Sequence, residues 1–248
     1  MGVNLSGLSA SGRVGGVLRR LLHAIPKPEV MPILQSRARG LQWIVEASDH
    51  GCWLGSYEYE KRVRFEQAVK PGHTVYDIGA NVGFYTLLAS RLTWPGGRVI
   101  AFEPWGPNLA FLRRHVEMNR LANVTVMSAA VGERPGTLRF APGIAGSLGH
   151  LSASGTIEVP VVGIDAFVAA GTAPPPDVIK MDIEGGEVDA LRGAANVLAT
   201  ARPVLFLATH SDALHHACVQ IVRSAGYDIE SLSGGADRAG ELIATPPR

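Results

Sequence analysis

Three short stretches carry side chains that could do chemistry together. TVYDIGANVG (74–83) sets Asp77 two residues before a turn holding Gly79 and Gly83. RVIAFEP (98–104) leads to Glu103, and DVIKMDIEGGE (177–187) brings Lys180, Asp182 and Glu184 into one run. The dinucleotide fingerprint GxGxxG has glycines where the backbone must approach a pyrophosphate. Here Asn81 and Phe84 stand at its second and third glycines, and Asp77 adds a carboxylate that repels phosphate. A cation suits the position better. Glu103 lies 20 residues after Gly83 and could accept hydrogen bonds from both hydroxyls of a ribose. NAD enzymes use an acid in the same way. An acid on the first strand combined with an acid on the second points instead to S-adenosyl-L-methionine, which carries an ammonium and a sulfonium beside its nucleoside.

Methyl transfer from a sulfonium asks the protein to position, to desolvate and, for a hydroxyl acceptor, to take a proton. In a parallel sheet such groups sit beyond the carboxyl ends of the strands. Asp182 is nearest the end of its strand and is the first candidate for a catalytic, cofactor-adjacent residue. His210 closes RPVLFLATH (202–210), where a histidine can act as general base near neutral pH. Glu184 is placed to contact substrate, whereas Glu187 opens a helix whose dipole stabilises its charge. Asp182 and Glu184 are compatible with magnesium, but no third ligand is evident, so a metal is not favoured. Trp53, Tyr57 and Glu58 precede the core and could form a lid on the substrate side. The loop 143–155, with Ser147 and His150, is the other expected wall.

The elements that must hold these groups follow from periodicity and turn chemistry. Strands are expected at HTVYDIG, RVIAFEP, NVTVMSAAVG (123–132), DVIKMDI and RPVLFLATH, with helices at Tyr85–Leu92, from Pro107 to about Arg120, from Glu187 to about Ala199, and at Ala213–Ala225. GTLRFAP (136–142) and TIEVPVVGIDAF (156–167) read as extra strands or a hairpin. YDIESLS and ELIATPP are two final strands whose connection is too short for a crossover. Alternating strands and helices give a parallel α/β sheet covered on both faces, with one antiparallel strand at the end.

Composition is consistent with this. Of 248 residues, 46% are hydrophobic and 18% charged, and the formal net charge of +1 gives no reason to expect a nucleic-acid partner. Cys52 and Cys218 are far apart and in no CxxC motif, which suits a reducing compartment. No apolar run reaches the length of about 20 residues that spans a bilayer. Residues 1–40 are expected as an appendage and 41–248 as the catalytic domain. Within the appendage MGVNLS fits an N-myristoylation pattern, and residues 14–25 are basic and amphipathic enough for peripheral membrane contact. No convincing export signal is present, so a cytoplasmic location is expected.

The segments DIGANVGFYTLLAS, AFEPWGPNLAFLRRHVEMN, VMSAAVG and DVIKMDIEGGEVDALRGA, in this order, resemble the FkbM family of S-adenosylmethionine-dependent methyltransferases. The resemblance covers about residues 50–235. It implies a class I methyltransferase fold, Rossmann-like, with a seven-stranded sheet whose last strand is antiparallel and helices on both faces. It also implies O-methylation of a hydroxyl on a sugar, glycan or secondary metabolite, with S-adenosyl-L-homocysteine as product. Carried over, Asp77, Gly79, Asn81 and Gly83 would line the methionine part of the cofactor, with Phe84 packed beneath it. Glu103, followed by Pro104, would take the ribose, and Asn108, Ser128, Ala129 and Ala130 would frame the adenine. The chain departs from the family at Ala208, where many members carry an acid two residues before the histidine.

Three other readings compete. An N-methyltransferase of a small molecule shares the cofactor site, although KMDIEGG differs from the NPPY-like turn of the DNA-type enzymes. An NAD-dependent oxidoreductase is opposed by Asp77 and the missing glycines. A non-catalytic S-adenosylmethionine-binding module would keep Asp77 and Glu103 without needing Asp182 or His210.

Overall fold

The computed structural model describes residues 29–142, 149–151, 157–232 and 238–247. The stretch 1–28, with its basic amphipathic segment, lies outside the described residues, as does Ser147. The described chain opens with β1 (Val30–Pro32) and β2 (Gln42–Ile44), an antiparallel pair, followed by a 3₁₀ turn at Val45–Ala47. Helices α1 (His50–Leu54) and α2 (Tyr59–Ala68) then lead into the main sheet.

The alternation begins with β3 (Thr74–Ile78), α3 (Phe84–Thr93), β4 (Arg98–Phe102), α4 (Gly106–Met118) and β5 (Val124–Met127). An excursion of β6 (Ala130–Val131), β7 (Gly136–Pro142), β8 (Gly149–Leu151) and β9 (Ile157–Val162) forms its own four-stranded sheet. The chain returns through α5 (Ile164–Ala169) to β10 (Val178–Met181), α6 (Glu187–Arg192), α7 (Ala195–Thr200), β11 (Val204–Ala208) and α8 (Asp212–Ser224). It ends in β12 (Asp228–Ser231) and β13 (Glu241–Thr245). The large sheet has seven strands in the order β12-β13-β11-β10-β3-β4-β5. Strands β11, β10, β3, β4 and β5 run parallel, and β13 is antiparallel to both its neighbours. This is the seven-stranded arrangement with an antiparallel last strand that the sequence predicts.

Strand alternation divides the core in two. Tyr76, Ile78, Ile100, Phe102, Ile179 and Met181 pack on one face with Phe167 of α5, Leu191 of α6 and Cys218 of α8. Val75, Val99, Val178 and Phe206 pack on the other with Phe65 of α2 and Leu87 and Leu88 of α3. Both faces are dry because a parallel sheet is sandwiched by its own crossovers.

Several local expectations are revised. The third strand stops at Met127, and residues 130–131 belong to the smaller sheet. GIDAF is not strand: Gly163 precedes α5, and Asp165 accepts from the backbone N–H groups of Asn196 and Val197 at the start of α7. The helix expected from Glu187 to about Ala199 is two short helices that meet at Gly193, where only a glycine fits, since a Cβ would sit 2.2 Å from the Gly132 carbonyl. Residues 29–40 take part in the packing, with Ile33 and Ala38 fully buried. The expected appendage thus reaches into the core at its downstream end. Among the described residues no helix is long and apolar enough to cross a membrane.

Candidate active site

The carboxyl ends of β3, β4 and β10 open on a cavity of about 550 Å³, a volume typical of small-molecule sites. Its floor is the turn after β3. Gly79, Asn81 and Gly83 all have positive φ, at 75°, 50° and 104°. Asn81 can replace the fingerprint glycine because asparagine tolerates the left-handed region. Gly79 cannot be replaced so easily: an added Cβ would meet the Asp182 carbonyl oxygen at 2.0 Å. The N–H groups of Gly79 and Ala80 both donate to the Phe102 carbonyl, at 3.0 and 2.9 Å, which ties the turn to β4.

Glu103 is held across the same gap. Its Oε2 accepts from the Asn81 N–H at 2.8 Å and its Oε1 from the Trp105 N–H at 2.8 Å. Burial pushes its carboxyl above the usual range, while those two backbone bonds oppose the shift. A second acceptor site on each oxygen is still available to a diol, since a carboxylate offers about four lone-pair directions.

Asp77 does not line this cavity. Strand alternation turns it towards α3, where it is fully buried and its Oδ2 accepts from Thr86 Oγ1 at 2.6 Å. Lys180 Nζ lies 3.5 Å from Oδ1 and donates to the Gly79 carbonyl at 2.8 Å. The cation facing Asp77 is a side chain of β10, Lys180. Asp77 and Lys180 shape the turn from behind, and Lys180 also lines the cavity.

The opposite rim is built from side chains brought from far apart. Asp182 has a cation on each oxygen: His210 Nε2 at 3.0 Å from Oδ1 and Lys61 Nζ at 3.9 Å from Oδ2. Burial opposes ionisation of Asp182, but the hydrogen bond from His210 and the charges of Lys180 and Lys61 outweigh it and hold the carboxyl below its usual range. His210 also faces Glu184 through Nδ1 at 3.4 Å and Glu187 through Nε2 at 3.6 Å. The hydrogen bond to Asp182, helped by these charges, raises its imidazole to about 9. The three carboxylates around His210 favour its protonated form.

Lys61, on α2, is 4% exposed and lies 2.7 Å from both Glu58 and Glu241. It joins the segment ahead of the sheet to the last strand beneath the rim. Glu187 closes the turn between β10 and α6: it is fully buried, and its carboxylate accepts from the Gly185 N–H at 3.0 Å. Its structural role is as expected.

The sequence pattern of the Methyltransferase FkbM domain matches residues 77–229, which contain the glycine turn, Glu103, Asp182 and His210. The chain belongs to the FkbM methyltransferase family. It is 30% identical over 148 residues to the hexuronic acid methyltransferase AglP of Haloferax volcanii, covering 58% of this chain and 59% of that protein. It is also 39% identical over 72 residues to the 31-O-demethyl-FK506 methyltransferase FkbM of Streptomyces tacrolimicus, covering 29% of this chain and 27% of that one. The chain thus spans less than two thirds of the length of these curated relatives. Among solved structures, the precorrin-6y C5,15-methyltransferase of Geobacter metallireducens GS-15 superposes with a TM-score of 0.50 at 18% identity. It covers 75% of this chain and 87% of that one, a likeness of fold.

The FkbM family match begins at Asp77, yet part of the cavity wall lies upstream of it. Glu46, Asp49, Cys52, Tyr57 and Glu58 all line the cavity. Of the residues expected at the site, Gly79, Asn81, Gly83, Phe84, Glu103, Pro104, Asn108, Ala129, Ala130, Tyr57, Glu58, Asp182 and Glu184 border it. Ser128 does not: it is exposed where the chain kinks between β5 and β6. Trp53 does not either, because it is buried against the upstream cluster and its Nε1 donates to His50 Nδ1 at 3.0 Å. The backbone of His150 lies in β8, while its side chain falls outside what is described. Sequence reasoning missed Glu46 and Asp49, which carry no motif, and Lys61 and Glu241, which fold alone brings to Asp182. Lys180 was noted in one run with Asp182, and the structure gives it its partners, Asp77 and the Gly79 carbonyl.

Proposed function

We propose that this chain is an S-adenosyl-L-methionine-dependent O-methyltransferase acting on a hydroxyl of a sugar, glycan or secondary metabolite. The observation that carries the reading is the pairing of Glu103 and Asp182 on opposite rims of one cavity in a chain of the FkbM family. The residues fit the cofactor's chemistry: Glu103 suits a ribose diol, Phe84, Phe102 and Ala129 offer apolar wall, and the carboxylates of Glu58 and Asp182 suit a sulfonium and an ammonium. The bound cofactor supplies an activated methyl group, which passes to the acceptor oxygen as the sulfur–carbon bond breaks, with S-adenosyl-L-homocysteine and one proton released. Asp182 orients the acceptor hydroxyl by accepting its hydrogen bond while the proton leaves to solvent, and His210 fixes the carboxylate through the 3.0 Å bond. The named acceptor chemistry of the two curated relatives, a hexuronic acid and an FK506 precursor, supports a hydroxyl compound of this size.

Asp182, Glu184 and His210 bring ligand atoms within 4.8 Å of one another. Magnesium prefers oxygen ligands, and the all-carboxylate set of Glu58, Asp182 and Glu241 also comes within 4.8 Å, but Lys61 already lies among those three. Cys52 and Cys218 are free and buried, which supports a reducing, cytoplasmic setting.

Calorimetric titration with S-adenosyl-L-homocysteine and with NAD tests the reading. Binding of the homocysteine form, weakened in Glu103→Ala, is the expected result. Binding of NAD alone would overturn it.

A further inference from the structure

Two carboxylates of the cavity wall, Glu58 and Asp182, share a partner that stands behind the wall. Lys61, on α2, points its ammonium between them. Its Nζ lies 2.7 Å from Glu58 Oε2, 2.7 Å from Glu241 Oε1 and 3.9 Å from Asp182 Oδ2. The side chain is 4% exposed, and the Tyr85 ring lies 5.4 Å from Nζ, within reach of a cation–π contact. Burial opposes a charge here, but Glu58, Glu241 and Asp182 outweigh it and hold the ammonium above the usual lysine range. The three carboxylates come from the approach to α2, the end of β10 and the start of β13, and one oxygen of each lies within 4.8 Å of the others. Divalent cations hold carboxylate oxygens at roughly 2.0–2.6 Å, so one ion would span that spacing. The arrangement is that of a metal site whose centre is a lysine.

We propose that Lys61 is a positioning residue that takes the place of a metal ion: its ammonium draws Glu58 and Asp182 to the cavity wall and fixes them there for the cofactor. This rests on the methyltransferase reading above and adds to it the group that sets two of its carboxylates. Two further observations bear on it. Glu58 has φ 42°, in the left-handed region that a glutamate adopts at a cost. Its conformation must be held by its surroundings, and Lys61, one turn along α2, holds its carboxylate. Lys61 and Glu241 also lie on either side of the family match at 77–229, and neither lines the cavity. Their effect on a bound cofactor therefore passes through Glu58 and Asp182. A lysine in this place needs no loading, since the cluster is complete as soon as α2, β10 and β13 meet.

The test is to exchange the ammonium for an ion. Lys61→Ala removes the cation and leaves room for another, so the full chain carrying it should bind manganese(II) at least about tenfold more tightly than the wild type. Loss of the free-ion electron paramagnetic resonance signal reads this binding, and adding Glu241→Gln should abolish it. Calorimetry of Lys61→Ala in EDTA should show affinity for S-adenosyl-L-homocysteine about tenfold or more below the wild type. Saturating manganese(II) should bring it back to within about threefold, whereas the wild type responds neither to EDTA nor to the ion. Undiminished affinity of Lys61→Ala in EDTA overturns the proposal, as does affinity that the ion does not restore, or a wild-type affinity that EDTA lowers. If Lys61→Ala does not fold, Glu241→Gln alone decides. It loosens Lys61 from outside the cavity, so affinity should fall about threefold or more, and unchanged affinity overturns the proposal. A wild-type chain that binds no S-adenosyl-L-homocysteine would instead remove the methyltransferase reading, and manganese(II) binding to Lys61→Ala would still show whether the lysine stands in for an ion.

Discussion

The two rims of the cavity are built on different principles. The rim at β3 and β4 is a backbone device: three residues with positive φ, two N–H groups on the Phe102 carbonyl, and a glutamate held by two more N–H groups. The rim at β10 and β11 is a side-chain device, in which Asp182, His210, Lys61, Glu58 and Glu241 hold one another by charge. A backbone device is stiff and nearly independent of pH. A charged cluster shares protons, and each member sets the protonation of the next.

The sharpest way to break the comparison is Lys61→Met. It leaves Glu58, Glu241 and Asp182 facing one another around a buried gap, and removing one partner of such a cluster costs roughly 3–5 kcal/mol. Urea unfolding should show this loss, whereas a side-chain device that contributed little would leave the midpoint unchanged. Next comes Asp182→Asn, for which transfer should fall about 100-fold or more while S-adenosyl-L-homocysteine still binds. The same variant should lower the His210 titration from about 9 towards its ordinary value, read from the imidazole proton signal.

Glu103→Ala tests the backbone rim. Losing a charged hydrogen-bond acceptor costs about 1.5–3 kcal/mol, so affinity for S-adenosyl-L-homocysteine should drop while the His210 titration stays where it is. Movement of both would show that the rims are coupled. A pH-dependent effect concerns how the glycine turn is anchored. His115 Nδ1 contacts the Val82 carbonyl at 2.8 Å and Nε2 accepts from the Ile44 N–H at 2.9 Å, with the ring stacked on Trp43. Burial lowers this imidazole to about 4 from its ordinary 6.5. The unfolded chain therefore takes up the proton first. Stability is full above pH 6.5 and declines as pH falls from 6.5 to about 4, by roughly 1.4 kcal/mol per pH unit. Chemical denaturation at pH 7.5, 5.5 and 4.5 should show that slope, and His115→Gln should flatten it.

The backbone rim was largely legible in the sequence, because its parts are local: a β-branched strand, a glycine turn and an acid at the next strand end. Even there the partner of Asp77 was not legible, because Lys180 reaches it from β10, about a hundred residues away in sequence. Ser128 and Trp53 were misplaced for a related reason. A strand end that kinks into a second sheet, and an indole that turns towards an upstream histidine, are decided by packing neighbours distant in sequence. The residues Glu46, Asp49, Lys61 and Glu241 gave no signal, since no periodicity or spacing links them to Asp182.

By itself the sequence determined the alternation of strands and helices, the antiparallel last strand, the family and the positions of Glu103 and Asp182 at strand ends. Each of these depends on hydrophobic period, turn chemistry or short-range order, which the chain carries residue by residue. Only the tertiary structure decided which charges meet. Ionisation depends on distances of a few ångströms and on burial, so the imidazolium of His210, the buried pairing of Asp77 with Lys180 and the acidity of the cavity exist only once α2, β10, β11 and β13 have converged.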